Sequence, residues 1–327
     1  MTIRNDSAFS KTANNFHISP LLQELMVFTG QSDCYSKSNE FIKKFLSIDV
    51  GAAQIFRVTD FYGEQLGKDK ELLERSMTPL RQEEVLYVGV DGSMVSTRDD
   101  GWKEVKLGRL FKSGDCIDPN GDASWIRHSQ YMAHLGDSKT FTGQMDELIA
   151  SYGVQGNRLV FLSDGAIWIR NWVEDAFPDA IAILDYFHAS EHLYQFVNLY
   201  YTEKEAGKIW AKEQEALLKE SKVEEVILNI KELTNYKDKG GQKLIDYFEN
   251  NKHRMDYKAY SAIGVGIIGS GAIESAHRTV IQKRMKLSGQ RWTIDGAQNM
   301  LNIRTCQMNG KWDKVIQIAK NKPLCKK

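Results

Sequence analysis

The sequence is poor in cysteine and proline, carries no net charge and has no long apolar run. Its four cysteines are spread over 327 residues without a Cys-x-x-Cys pair, which argues against a disulfide scaffold and a zinc ribbon. No segment approaches the ~18 consecutive apolar residues that a membrane-spanning helix needs, and the polar start Met1–Asp6 does not resemble a signal peptide. We therefore expect a soluble, cytosolic protein with reduced cysteines.

The charge balance is even over the whole chain but uneven along it. Lys and Arg together number 43, as do Asp and Glu, so net charge gives no argument for a nucleic-acid partner. From Ser275 to Lys327, however, 12 basic residues stand against only Asp295 and Asp313. Such a segment is either a solvated helical surface or a surface for an anionic partner.

Hydrophobic periodicity changes along the chain and predicts several structural units. Short stretches with helical spacing come first, strand-like segments follow, and a long charged stretch with helical spacing interrupts them. With 42% hydrophobic residues, the chain can fill more than one core. The predicted units are a helical N-terminal domain at 1–80, with a possible helix-turn-helix near Gly51–Val58, the first part of an α/β core at 81–188, an all-helical insertion at 189–262, and the second part of the core with basic C-terminal helices at 263–327.

Two strand-like segments end in the same way, with an aspartate followed by glycine. Val85–Val90 leads to Asp91, and Leu159–Ser163 leads to Asp164. A hairpin signal follows the first segment, and a strand–helix–strand order follows the second, which predicts parallel pairing. The sequence therefore predicts an α/β fold with a mixed sheet flanked by helices.

Asp91, Asp164 and Glu274 each lie at the predicted boundary of a regular element, where a carboxylate can project into a shared site. Glu274 follows a glycine-rich segment and lies near the start of a predicted helix. Clustered carboxylates repel one another unless a cation is present, and carboxylate oxygens favour Mg²⁺ or Mn²⁺. Two such ions clamp the attacking and leaving oxygens in phosphoryl transfer. The alternative is that both aspartates are turn residues before glycine.

Two other motifs predict different chemistry. Gly264–Gly269 has the glycine spacing of a dinucleotide-binding loop, but the strand before it and the acid after it are missing. His188-x-x-Glu191-His192 matches an inverted zinc-protease pattern, in which both histidines bind zinc and the glutamate is the base. We keep a zinc metallopeptidase as an alternative, together with a purely structural role for these histidines.

Five ordered blocks of sequence resemble a known family. The blocks read YVGVDG at 87–92, LSDGAIWI at 162–169, LDYFH at 184–188, GSGAIES at 269–275 and RWTIDGA at 291–297. With these blocks the chain resembles the DDE transposases of bacterial insertion sequences, closest to the ISKra type within the mutator-like group. This resemblance implies a ribonuclease-H-like fold with the first aspartate on the first strand, the second on the fourth strand, and the glutamate on a helix after an all-helical insertion.

The resemblance also implies roles for individual residues. Asp91, Asp164 and Glu274 are implied as catalytic ligands of two Mg²⁺ ions, with Mn²⁺ as a substitute and with Asp91 implied to bridge both ions. His188 is implied near the scissile phosphate or in the architecture of the site, with Asp185 as its supporting residue. The basic residues expected to contact DNA are Arg278, Lys283, Arg284, Lys286 and Arg291.

A DDE transposase cuts a DNA strand with water and then joins the freed 3′-hydroxyl to target DNA. The resemblance implies a homo-oligomer acting on two transposon ends in the bacterial cytoplasm, in association with the nucleoid and without membrane contact. Relatives usually have a longer N-terminal region for recognising the transposon ends. Two further alternatives therefore remain: a ribonuclease-H-like nuclease, and a truncated, catalytically idle DNA-binding derivative.

Overall fold

A mixed β-sheet with helices on both faces forms the centre of the structure. The computed structural model describes residue 14 and residues 16–69, 80–118, 124–234 and 239–320. The strands are β1 (Leu86–Ser96), β2 (Trp102–Lys112), β3 (Cys116–Ile117), β4 (Trp125–Ile126), β5 (Gln130–Leu135), β6 (Leu159–Ser163) and β7 (Ile181–Leu184). The helices are α1 (Pro20–Ser32), α2 (Tyr35–Leu46), α3 (Ala52–Gly67), α4 (Ser138–Ala150), α5 (Ile167–Ala176), α6 (Tyr186–Tyr200), α7 (Lys204–Lys219), α8 (Val223–Leu233), α9 (Lys239–Asn251), α10 (Tyr257–Tyr260), α11 (Gly271–Ala276), α12 (Lys283–Met285), α13 (Ile294–Met308) and α14 (Trp312–Ala319).

The main sheet has five strands in the order β5-β2-β1-β6-β7. Strands β1, β2 and β5 pair antiparallel, whereas β6 and β7 pair parallel to β1 and to each other. The predicted mixed sheet is thus confirmed. Strand β1 continues past Asp91 to Ser96 and forms with β2 the hairpin that the sequence indicated, so Asp91 lies within the strand and not at its end.

Alternation along β1 determines which helices each residue meets. Leu86, Val88 and Val90 share a core with α4 and α5, whereas Tyr87 lies in the core that contains α6 to α9. Successive strand residues point to opposite faces, so Asp91 belongs to the same face as Tyr87. On that face Gly89 allows α11 to approach closely, since a Cβ at Gly89 would lie 3.2 Å from Ile273 Cβ.

Helices α6 to α10 follow β7 and come before the glycine-rich segment that leads to α11. Val226, Ile227 and Ile230 of α8 are buried in the core that these helices share with the sheet. Their three- and four-residue spacings are the pattern on which the helical prediction depended. The insertion therefore packs against the same face of the sheet that carries Asp91.

The N-terminal helices share a hydrophobic core with the C-terminal end of the chain. Met26 of α1 and Ile55 of α3 lie in one cluster with Ile303 of α13 and Val315 of α14. Helix α3 begins where the sequence indicated a helix and uses its apolar side to pack on α13. Within the described residues, no helix is long and apolar enough to cross a membrane.

Candidate functional site

The strand register brings Asp91 and Asp164 side by side. Val90 of β1 pairs with Ser163 of the parallel strand β6, and each aspartate is the next residue. Neighbouring strands lie about 4.8 Å apart, so the two backbones present these side chains together. Ser163 also pairs with Leu184 of β7, which puts Asp185 at the equivalent position on the third parallel strand.

One cleft collects all the acidic residues that the sequence singled out. Asp91, Asp164 and Asp185 line it from the strand side, and His188 lines it from the first turn of α6. Glu274 lines it from α11. The cleft has a volume of about 170 Å³, so residues separated by 183 positions in the sequence meet in a small polar site.

Each of the three carboxylates predicted to bind metal accepts a hydrogen bond from a nearby donor. The backbone N–H of Gly92 donates to Asp91 Oδ1 over 2.6 Å, and that of Ala166 donates to Asp164 Oδ1 over 2.9 Å. Ser270 Oγ donates to Glu274 Oε1 over 2.5 Å. In the described part of the chain, no three His, Cys, Asp or Glu side chains are grouped closely enough to hold a metal ion as they stand. The carboxylate donor set fits a hard divalent cation by its chemistry.

Asp164 is the carboxylate that desolvation affects most clearly. Burial raises its pKa, the neighbouring Asp91 raises it further, and the Ala166 N–H, His188 and Arg254 lower it. Arg254 reaches this loop from the helical insertion, where its Nη2 lies 3.4 Å from the carbonyl oxygen of Asp164. A cation in the cleft would favour the ionised carboxylate and would oppose the effect of burial.

Asp185 links two chain segments that line the cleft. It is 4% exposed, and its Oδ1 accepts hydrogen bonds from Phe187 N over 3.0 Å and from Ser270 N over 2.9 Å. The first bond caps α6 and the second anchors the segment that precedes Glu274. Of the two roles considered for the Asp-x-x-His pair, this geometry favours architecture of the site for Asp185.

Replacing Asp185 with alanine is expected to lower the free energy of unfolding by about 1–3 kcal/mol, because a helix cap is lost and a buried N–H loses its acceptor. Asp185→Asn keeps a side-chain oxygen at both bonds and should cost less. Urea unfolding of the two variants tests this. An equal loss in both would indicate that the negative charge, and not the acceptor geometry, is what matters.

His188 and His192 lie close together, but their partners favour packing over a preformed zinc site. Their ring centroids are 4.7 Å apart, and the His192 ring packs 4.5 Å from Tyr247. His188 Nδ1 lies 3.8 Å from Glu191 Oε2, beyond hydrogen-bond distance. Burial lowers the pKa of His192, which agrees with a histidine held among aromatic rings.

His277 is a site residue that the sequence placed on the helix face of Glu274 without giving it a role. Its side chain is buried, and Nε2 lies 3.0 Å from Asp91 Oδ2. Neither ring nitrogen has a hydrogen bond of acceptable geometry within the described structure. The signal in the sequence is the spacing of three residues from Glu274, which places both on one helix face.

A π-helical turn, His277–Gln282, separates α11 from α12. Such turns are frequent at functional sites because they widen one helical turn and change the direction of the side chains. Here Arg304 of α13 donates to the carbonyl oxygens of Thr279 and Val280. A side chain thus binds backbone oxygens in the π-helical turn that carries His277.

The predicted basic residues separate into an exposed group and one buried residue. Arg278, Lys283, Lys286 and Arg291 are exposed, and Lys286 Nζ donates to Ser93 Oγ over 2.6 Å, two residues after Asp91. The prediction that Arg284 contacts DNA is wrong. Arg284 is 0% exposed, and its Nε donates to Gly30 O over 2.7 Å. A guanidinium buried in this way cannot contact a DNA phosphate, so Arg284 is structural.

The glycine-rich segment before α11 forms a turn and is not a dinucleotide-binding loop. In the described structure, helix α10 and not a strand comes directly before it, and Gly264 and Gly266 have φ angles of +58° and +73°, which glycine adopts without strain. Tyr87 Oη donates to Ile263 O over 2.9 Å and accepts from Val265 N over 3.1 Å. Strand β1 thereby fixes the segment that delivers Glu274 to the cleft.

Comparison with known proteins identifies one family. The sequence model of an uncharacterised protein family, UPF0236, matches residues 17–322. No curated protein matches the chain significantly. The matched residues include every residue of the cleft and most of the described structure. The chain belongs to the uncharacterised protein family UPF0236.

Proposed function

We propose that this protein is a Mg²⁺-dependent DNA strand-transferring enzyme, a transposase with a ribonuclease-H-like catalytic core of the DDE type. The observation that carries the proposal is the register of β1 and β6. It places Asp91 beside Asp164 at the edge of a cleft that Glu274 completes from a helix. Three carboxylates from separate elements of one α/β core form a donor set suited to phosphoryl transfer.

The order of elements supports the ribonuclease-H-like part of the proposal. Counted in chain order, the five strands of the main sheet begin with the antiparallel strands β1, β2 and β5, and β6 and β7 are the fourth and fifth. Asp91 lies on the first strand, and Asp164 follows the fourth. Glu274 comes after the all-helical insertion. This is the order that the resemblance to DDE transposases implies.

Each residue of the cleft would have its own role in the reaction. Asp91, Asp164 and Glu274 would hold two divalent ions, which supply Lewis-acid activation of water or a 3′-hydroxyl and stabilise charge on the leaving oxygen. His188 lines the same cleft and would contact the scissile phosphate. Asp185 keeps α6 and the Glu274 segment at a constant separation through its two backbone hydrogen bonds.

The exposed basic residues would contact DNA phosphates and so position the DNA. Arg278 lines a shallow pocket together with Asp91, Glu274 and His277, so it lies directly beside the carboxylates. Lys283, Lys286 and Arg291 continue along the chain and are exposed. Basic side chains of this kind bind phosphates without reading sequence. The proposed partner is therefore DNA, and the proposed assembly is a homo-oligomer on two transposon ends.

The test is joining of a labelled duplex with a pre-cut 3′-hydroxyl end to a plasmid, using the genomic sequences that flank the gene as ends. Joined product should form with Mg²⁺ or Mn²⁺, disappear in EDTA and return when Mg²⁺ is added in excess. Cleavage without joining would support the nuclease alternative. Binding of the ends with neither reaction would support a catalytically idle derivative.

A further inference from the structure

A larger groove lies beside the carboxylate cleft, and α6 and α11 contribute residues to both. It has a volume of about 550 Å³, within the ~300–1,000 Å³ that is typical of ligand sites. Phe187 lines the groove one residue before His188 of the cleft, and Ser275 lines it one residue after Glu274. The groove therefore lies next to the place where the proposed chemistry occurs.

Two exposed aromatic side chains line this groove from different elements. Trp125 of β4 is 54% exposed and Phe187 of α6 is 56% exposed. Phe187 is held from one side, because a Cβ on Gly269 would lie 2.3 Å from its Cδ2 atom. Its ring also packs edge-on against Tyr186, with centroids 5.6 Å apart. One side of the ring is thereby packed, while more than half of the residue remains exposed.

Arg109 brings a buried positive charge to the groove. Its side chain is 7% exposed, Nε donates to Ser129 Oγ over 3.0 Å, and Nη1 donates to Ala272 O over 2.7 Å. The hydrogen bonds of the described residues leave Nη2 without a partner, and none of the described lining residues is acidic. The groove therefore combines aromatic surfaces with an N–H donor for an oxygen acceptor.

We propose that this groove holds an unpaired nucleotide of the DNA strand next to the scissile phosphate. The base stacks on Trp125 and Phe187, and a phosphate or base oxygen accepts from Arg109 Nη2. Aromatic side chains bind bases in this way without sequence preference, because every base presents a π-face. The inference rests on the proposed function for its substrate, and it adds that the DNA end is opened by at least one base pair when it is bound.

The experiment measures binding of the full chain, in EDTA, to two labelled DNA duplexes. One is fully paired, and the other carries an unpaired 3′ end with 2-aminopurine as its terminal base. Trp125→Ala and Phe187→Ala should each weaken binding of the unpaired end by about fivefold or more, the lower range for loss of one base–aromatic stack. Trp125→Phe should retain most of the affinity. Affinity for the paired duplex should stay unchanged, and quenching of 2-aminopurine should be lost with either alanine.

Trp102→Ala is the matched control, because Trp102 is 66% exposed and lies at the β1–β2 turn, outside the groove. It should behave as wild type, and unfolding midpoints should match across the set. The groove proposal fails if the alanine variants bind the unpaired end normally or if 2-aminopurine is not quenched. That result, with wild-type joining intact, leaves the proposed function standing. Quenching that depends on Trp125, in a protein that joins no DNA, would retain the base site and overturn the strand-transfer function.

Discussion

Replacing Glu274 with glutamine is expected to reduce Mg²⁺-dependent cleavage and joining by about 10²–10³-fold or more, the size seen when one group that stabilises developing charge is removed. The Glu274 side chain is exposed, and its hydrogen bond is with Ser270 Oγ. Glutamine keeps an oxygen for that bond and removes the negative charge. The fold and the affinity for DNA should therefore persist while the reaction is lost, as joining assays and binding titrations on the same preparation will show.

Glu191→Gln is the matched control for this variant. Glu191 lines the same cleft and is also exposed, but it lies on α6, outside the proposed set of metal ligands. It should retain nearly full joining activity. Joining that requires Glu191 and not Glu274 would contradict the DDE assignment. The zinc-peptidase alternative predicts instead that zinc copurifies with the protein and that Glu191→Gln abolishes a peptidase activity.

Replacing Arg304 with methionine is expected to lower the free energy of unfolding by about 3 kcal/mol, because several buried oxygens lose their donor at once. Arg304 is 7% exposed, and Nη1 donates to Gln31 O over 3.2 Å and to Gln31 Oε1 over 2.6 Å. Its other nitrogens bind Thr279 O and Val280 O in the π-helical turn. Burial, and then the neighbouring Arg284, lower its pKa to about 10, so the guanidinium remains charged at neutral pH.

Urea unfolding measures this loss, with Arg291→Met as the control. Arg291 is exposed, and surface substitutions of this kind usually change stability by less than about 0.5 kcal/mol. Arg304→Lys should recover only part of the loss, because one ammonium group cannot reproduce the planar fork of the guanidinium. If Arg304→Met unfolds at the same urea concentration as wild type, the contacts with Gln31 and the π-helical turn contribute nothing to stability.

Much of the site was predictable because its residues carry local signals. Asp164 follows an apolar run and precedes Gly165, where a Cβ would lie 2.6 Å from Tyr247 of the insertion. Glycine is needed at this position because a larger side chain would collide with Tyr247. The Asp-Gly pair thus marks the end of a strand at which a helix approaches. For Asp91 the Asp-Gly pair does not mark a strand end, because β1 continues to Ser96 as one strand of the hairpin with β2.

Arg284 shows that the position of a basic residue in the sequence does not decide whether its side chain is exposed. Its neighbours Lys283 and Lys286 are exposed, and the run of basic residues predicts a continuous DNA-binding surface. The π-helical turn immediately before α12 changes the helical register. Arg284 then faces inward, with its guanidinium carbon 4.8 Å from the centre of the Tyr35 ring and 5.0 Å from that of the Trp292 ring.

The sequence by itself determined the chemical groups of this protein and the elements that carry them: two strands that lead to aspartates, a helical insertion, and a helix that carries Glu274. These depend on residue type and short-range periodicity, which act within a few residues. Only the tertiary structure decided that Val90 pairs with Ser163, that His277 lies against Asp91, and that Trp125 and Phe187 line one groove. Those contacts join residues far apart in the chain, and they depend on the strand register and helix packing of the whole fold.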